Sequence, residues 1–230
     1  MARKRSSANP VKQLTVVFDH GGVLSGGHDP IPDLHREVGG DLEALREAYW
    51  TARPAFDLGE LSTLDYWISV LAAARNDEPS VEEIEHLQGV DNHYWGTLAP
   101  GARALIHDLA RNGVRLVLLS NAPAAFGAYV RTQDWFEAFA LAVISGEEHV
   151  TKPSREIYEI VLEAVAHETG GVARPSKVIF FDDRIDNVEA AREIGIDAHL
   201  WPRNGDEAPD GESGWELARE ILSARSIPME

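Results

Sequence analysis

The sequence predicts an α/β protein, with a parallel central sheet in one core and an all-helical segment inserted after the first strand. Three observations predict it. Short unbroken apolar runs alternate with helical patterns along most of the 230 residues, as strands do when crossover helices bury both faces of a sheet. The interval between the first two runs is far too long for one crossover, so something is inserted between about Gly26 and Leu98. Four of the runs also end on polar or charged residues, which places them at the edge where open α/β sheets bind ligands.

The elements follow in order. The opening Ala2-Arg3-Lys4-Arg5-Ser6-Ser7 is basic and polar and lacks the apolar run of a secretory signal, so residues 1–12 are expected to be a flexible tail. The first strand is Leu14 to Phe18. The core is expected over 13–26 and 98–230, and a helical cap over 27–97. In the cap, Ser62 with Asp65, and Ser80 with Glu83, have the spacing of N-terminal capping pairs, and Leu64, Trp67, Ile68 and Leu71 make an apolar face at helical spacing. A helix from near Pro100 to Gly113 has Pro and Gly where helix ends favour them. Strands follow at Val114 to Leu119 and Leu141 to Ile144. A helix from Pro153 to near Gly170 leads to strands at Val178 to Phe181 and Ala198 to Trp201. Gly205 to Gly214 reads as an exposed loop before a last helix from about Trp215 to Ala224.

The composition excludes several classes. A hydrophobic fraction of 44% and a charged fraction of 26% belong to an ordinary folded enzyme. A formal net charge of -17 repels a nucleic-acid backbone. There are no cysteines, which excludes disulfides, thiolate nucleophiles and cysteine-ligated zinc, and makes a reducing cytoplasm the expected location. No apolar stretch approaches the roughly 20 residues that cross a bilayer, so no membrane partner is expected.

The chemistry lies at the strand ends. Asp19 closes the first run and is followed by His20-Gly21-Gly22, where glycines let backbone approach a bound group. Ser120 and Asn121 close the second run and can donate hydrogen bonds to phosphoryl oxygens. Lys152 follows the third run as a point charge with three donors. Asp182 and Asp183 close the fourth. Taken singly, each has an ordinary reading as a turn residue, a helix cap or a solvated charge. The paired aspartates weigh more, because adjacent carboxylates raise each other's pKa unless a cation neutralises them, and hard oxygen ligands suit magnesium.

The order Asp, Ser-Asn, Lys, Asp-Asp along successive strands resembles the haloacid dehalogenase (HAD) superfamily, from Leu14 to about Trp201. Asp-x-Gly-Gly-Val, Leu-Ser-Asn, Lys-Pro-x-x-x-x-Tyr and Phe-Phe-Asp-Asp-x-x-x-Asn look most like the bacterial α-D-glucose-1-phosphate phosphatase group and the phosphatase domain of soluble epoxide hydrolases. The resemblance implies a Rossmann-like core with a helical cap that closes over a small phosphorylated substrate. It implies attack on phosphorus by Asp19 and a magnesium ion held by Asp19, Asp183 and the Gly21 carbonyl, with Asp182 acting directly or through water. Phosphoryl oxygens would be bound by Lys152, Ser120 and the Asn121 amide. Gly21 departs from the pattern, since most phosphatases of the superfamily carry there an acid/base aspartate, worth roughly 10²–10⁴ in rate. His20 is expected to face away from phosphate, being adjacent to Asp19 on an extended segment. Asp57, Glu60, Tyr66 and Trp67 are candidates for the substrate-facing side of the cap, although aromatics at helical spacing are usually core. Two other readings stand beside the phosphatase: a metal-independent 2-haloacid dehalogenase, and a catalytically weak protein that binds a phosphorylated ligand or a partner.

Overall fold

Five short runs, β-branched and aromatic in the first and fourth and leucine-rich in the second, are too short for helices, and in the computed structural model they are the five strands of one sheet. The structure describes residues 14–26, 29–75, 78–202, 212–225 and 227. The expected tail and most of the Gly205 to Gly214 loop lie outside them. The strands are β1 (Thr15–Phe18), β2 (Arg115–Ser120), β3 (Leu141–Ile144), β4 (Val178–Asp182) and β5 (Asp197–Leu200). They are all parallel, in the order β3-β2-β1-β4-β5.

Alternation along the strands loads both faces of the sheet. Val16, Phe18, Leu116, Leu118 and Phe181 face a layer formed by α5 (Ala102–Arg111), α6 (Ala124–Val130) and α10 (Glu212–Ser223). Val17, Val117, Leu119 and Phe180 face α8 (Arg155–Thr169) and α9 (Ile185–Glu193). Two register differences from the sequence reading have local causes. Helix α8 begins at Arg155, because Pro153 lies in the preceding turn after a cis peptide bond to Lys152. Trp201 leaves β5 to pack its ring on Trp215, while its N–H still reaches the Asp182 carbonyl at 2.7 Å.

Four helices fill most of the insert: α1 (Ile31–Val38), α2 (Leu42–Leu58), α3 (Thr63–Ala74) and α4 (Val81–Gly96). They bury an apolar cluster of their own around Leu45, Tyr49, Phe56 and Trp67. Ser62 and Ser80 cap α3 and α4, each accepting from the amide three residues on at 3.1 Å. The apolar face of α3 is rotated from the one expected. Trp67 and Leu71 are buried, but Leu64 and Ile68 are 44% and 41% exposed. The buried stripe is Tyr66, Trp67, Val70, Leu71 and Ala74, because Tyr66 stacks on Phe56 of α2 at 4.1 Å and draws the helix round. Helix α2 ends on Gly59 at φ 80°, where a Cβ would sit 2.6 Å from the Gly146 carbonyl. That contact seats α2 on the core turn α7 (Ser145–Glu148). Among the described residues, no helix is long and apolar enough to cross a membrane.

Candidate active site

The chain fills the sheet outward from β1 in one direction, then resumes at β4 on the other side, so the strand order reverses between β1 and β4. The crevice at such a reversal, beyond the carboxyl ends of the strands, is where open α/β sheets bind ligands. Phe18 pairs with Phe181, so Asp19 and Asp182 leave neighbouring strands side by side.

Lys152 joins them. Its Nζ is 2.7 Å from Asp19 Oδ1, 2.7 Å from Asp182 Oδ2 and 3.1 Å from the Leu119 carbonyl, so all three of its donors are used. Burial pulls the ammonium pKa down, but Asp19 and Asp182 outweigh it and raise it, so Lys152 stays charged. The side chain of Asn121 brackets the lysine backbone, accepting from Lys152 N at 2.9 Å and donating to its carbonyl at 3.0 Å. Asp182 is wholly buried, and both of its oxygens are engaged by Lys152, Asn187 and the Arg184 amide.

The contacts of Asp19 both fall on Oδ1, from Lys152 and from the His20 amide at 2.6 Å. Burial, with Asp182 and Asp183 nearby, raises its pKa despite Lys152. One oxygen each of Asp19, Asp182 and Asp183 lie within 4.8 Å of one another. Gly22 makes room for this cluster. It has φ 72°, and a Cβ there would come within 2.8 Å of Asp183 Oδ2. Gly21 differs, with φ -65° and ψ 124°, and only Trp95 approaches its Cβ position, at 4.0 Å. The His20 ring lies between Phe126 and Trp135, its Nε2 2.5 Å from the Trp95 carbonyl. Burial lowers its pKa to about 4, so the ring is neutral near pH 7 and donates from Nε2 to that carbonyl.

A cavity of about 880 Å³ lies between this edge and the insert, lined by Asp19, Gly21, Ser120, Asn121, Lys152 and Asp183 on the core side. The other wall is the second half of α2 with Trp50, Arg53 and Asp57, the turn after it with Glu60, and Trp95 from α4. Asp57 and Glu60 thus reach the cavity, whereas Tyr66 and Trp67 are wholly buried in the insert, where they bond the Tyr49 carbonyl and Gln88. Arg53, Trp50 and Trp95 were not singled out from the sequence, and Asn187 entered only as the last residue of Phe-Phe-Asp-Asp-x-x-x-Asn. Tyr49, Arg53 and Asp57 are spaced four apart along one helix, a signal that was available. Arg53 Nε donates to Asp57 Oδ1 at 2.7 Å, and its guanidinium lies over the Tyr49 and Trp95 rings at 5.4 Å.

A doubly wound parallel sheet carries an aspartate, a buried lysine and paired acidic residues at its switch point, the architecture of an open α/β protein with a ligand crevice there. The chain belongs to the haloacid dehalogenase-like hydrolase family, whose model matches residues 14–195. It is 26% identical over 229 residues to the phosphatase MT3486 of Mycobacterium tuberculosis (strain CDC 1551 / Oshkosh), covering 92% of this chain and 95% of that protein. Among solved structures it is similar to the HAD family enzyme bt-2542 of Bacteroides thetaiotaomicron in its magnesium complex, with TM-score 0.62, 19% identity, 85% of this chain and 96% of the other. It is also similar to the L-2-haloacid dehalogenase of Xanthobacter autotrophicus, with TM-score 0.62, 22% identity, 91% of this chain and 82% of the other. These two likenesses are in fold.

Proposed function

We propose that the protein is a magnesium-dependent phosphomonoesterase that hydrolyses a small phosphorylated metabolite, a sugar phosphate being one such substrate, through an aspartyl-phosphate on Asp19. The observation that carries this reading is Lys152 held between Asp19 and Asp182 beside Asp183. Asp19 keeps Oδ2 clear of the lysine, so one oxygen can attack phosphorus while the other stays oriented. Covalent attack splits one hard displacement into two easier ones. Lys152, the Ser120 hydroxyl and the Asn121 amide would bind the phosphoryl oxygens, and the Asn121 side chain keeps the lysine backbone in register.

The donor set fits magnesium. It consists of hard oxygens, burial together with Asp182 and Asp183 raises the pKa of Asp19 in a way that a cation would relieve, and Gly22 leaves the space that a side chain would fill. Asp19, Asp183 and the Gly21 carbonyl would hold the ion, with Asp182 acting through water because its own oxygens are taken. When bound, magnesium would neutralise the carboxylates and draw charge from the phosphoryl oxygens. A metal-independent 2-haloacid dehalogenase would need the same aspartate but gains nothing from clustering carboxylates that repel one another. A protein that only binds a phosphorylated ligand has no use for an attacking carboxylate.

The test is release of p-nitrophenol from p-nitrophenyl phosphate with magnesium, with a chelator, and with Asp19→Asn, alongside a panel of sugar phosphates and a 2-haloalkanoic acid. The expected result is magnesium-dependent hydrolysis that chelation and Asp19→Asn each abolish. Halide release that survives chelation, with no phosphatase activity, overturns the proposal.

A further inference from the structure

The phosphatase reading leaves a proton unassigned. Breaking the ester of an ordinary alcohol requires an acid at the departing oxygen, and hydrolysing the aspartyl-phosphate requires a base on the attacking water. Gly21 can be neither. On the core side of the cavity, Asp19 is the nucleophile, Lys152 is locked between two carboxylates, and His20 directs Nε2 at a main-chain carbonyl. The other wall offers Asp57 and the exposed Glu60.

Asp57 is fixed to the core. Its carbonyl accepts from the buried Ser145 hydroxyl at 2.5 Å, and the Ser145 hydroxyl oxygen in turn accepts from Ala122 N at 2.9 Å, one residue after Asn121. A single hydroxyl therefore ties the Asp57 backbone to the loop that would bind phosphate. Its carboxyl is fixed as well. Oδ1 takes the Arg53 bond at 2.7 Å, and Oδ2 makes no hydrogen bond among the described residues. The groups around it are Arg53, Asp91 of α4 at 3.5 Å from that arginine, and the Tyr66 hydroxyl of α3. On the core turn, Glu147 pairs with Arg131, Glu148 is exposed, and His149 faces Gly59. Burial lifts Asp57 to a pKa of about 6 against the pull of Arg53, which suits a group that must both give and take a proton.

We infer that Asp57, reaching the cavity from the insert, is the acid/base of this site, in place of the side chain that Gly21 lacks. The inference rests on the aspartyl-phosphate reading. In the first step Asp19 Oδ2 bonds to phosphorus, the bond from phosphorus to the ester oxygen breaks, and the Asp57 carboxyl proton passes to that oxygen, releasing the alcohol. In the second, the Asp57 carboxylate takes a proton from water, the water oxygen bonds to phosphorus, and the bond to Asp19 breaks. Phosphate leaves, with Asp19 ionised and Asp57 protonated again.

The experiment compares wild type, Asp57→Asn and Asp57→Glu on ethyl phosphate and on 2,4-dinitrophenyl phosphate, in magnesium, by rapid mixing. Dinitrophenolate departs without an acid, but the intermediate still waits for a base. Asp57→Asn is expected to lose about 10²-fold or more on ethyl phosphate. On the dinitrophenyl ester it should release a burst of one dinitrophenolate per enzyme before slow turnover. Asp57→Glu should turn over ethyl phosphate faster than Asp57→Asn and show no burst. Because Asp57→Asn leaves the buried Arg53 only Asp91 as an ionic partner, Arg53→Met/Asp57→Asn is measured beside it and should behave the same way. Equal proportional losses on both esters without a burst, or no loss at all, would overturn the assignment. Failure of the phosphatase reading looks different, since wild type would then release neither alcohol nor dinitrophenolate.

Discussion

Two adjacent glycines carry opposite constraints. Gly22 has φ 72°, and its Cβ position lies 2.8 Å from Asp183 Oδ2, whereas Gly21 has ordinary torsions and open space. A side chain at Gly22 would meet backbone strain of about 1–2 kcal/mol and would push Asp183 out of the acidic cluster. Gly22→Ala is therefore expected to lower the free energy of unfolding by about that amount and to weaken magnesium activation. Gly21→Ala should leave both within experimental error, and denaturant titration with a magnesium dose curve separates the two. The sequence showed two glycines after Asp19 and gave Gly21 its weight through a missing aspartate. It could not show that Gly22 is the sterically bound one, because that depends on where Asp183 comes to lie across the neighbouring strand.

Strands and caps were legible from local chemistry alone, because an unbroken apolar run or a Ser three residues before an acidic residue acts within a single element. Whatever depends on a second element was not. The buried stripe of α3 follows the stacking of Tyr66 on Phe56 of α2, and Arg53 becomes a cavity residue only when α2 and α4 enclose it. The join between α2 and the core turn α7 belongs to the same category. Ser145 is wholly buried, donates to the Asp57 carbonyl and accepts from Ala122 N. Removing its hydroxyl leaves a buried amide and a half-buried carbonyl short of a partner, a loss of about 1–3 kcal/mol. Ser145→Ala should show that loss in thermal or denaturant unfolding. It should also lower kcat more than it raises KM, because the end of α2 would be less firmly placed over Asp19 while the phosphate contacts on the core stay intact. A loss of stability with unchanged kcat would mean that this tether holds the fold without positioning the site.

Across the whole molecule, strand order and strand-end residues together bring Asp19, Ser120, Asn121, Lys152 and Asp183 to one edge of the sheet, and that edge was legible in the sequence for this reason. Net charge adds a property that no single contact contains. The chain carries a formal charge of -17, and its substrate under the proposed function is an anion. At about 0.01 M salt the Debye length of ~30 Å lets much of that charge oppose an approaching phosphate ester, while at about 0.15 M it falls to ~8 Å and only groups near the cavity still act. Lys152 offers little long-range attraction, because it is buried and neutralised by Asp19 and Asp182. Arg53 is likewise offset by Asp57 and Asp91. Repulsion by the whole surface should therefore dominate the encounter, and salt should relieve it. At fixed saturating magnesium, kcat/KM for p-nitrophenyl phosphate is expected to rise several-fold between those two salt concentrations, with kcat nearly constant because the bound ester no longer samples the distant field. A kcat/KM that falls with salt would show instead that the cations at the cavity set the encounter, and that the acidic surface is too far from the entrance to matter.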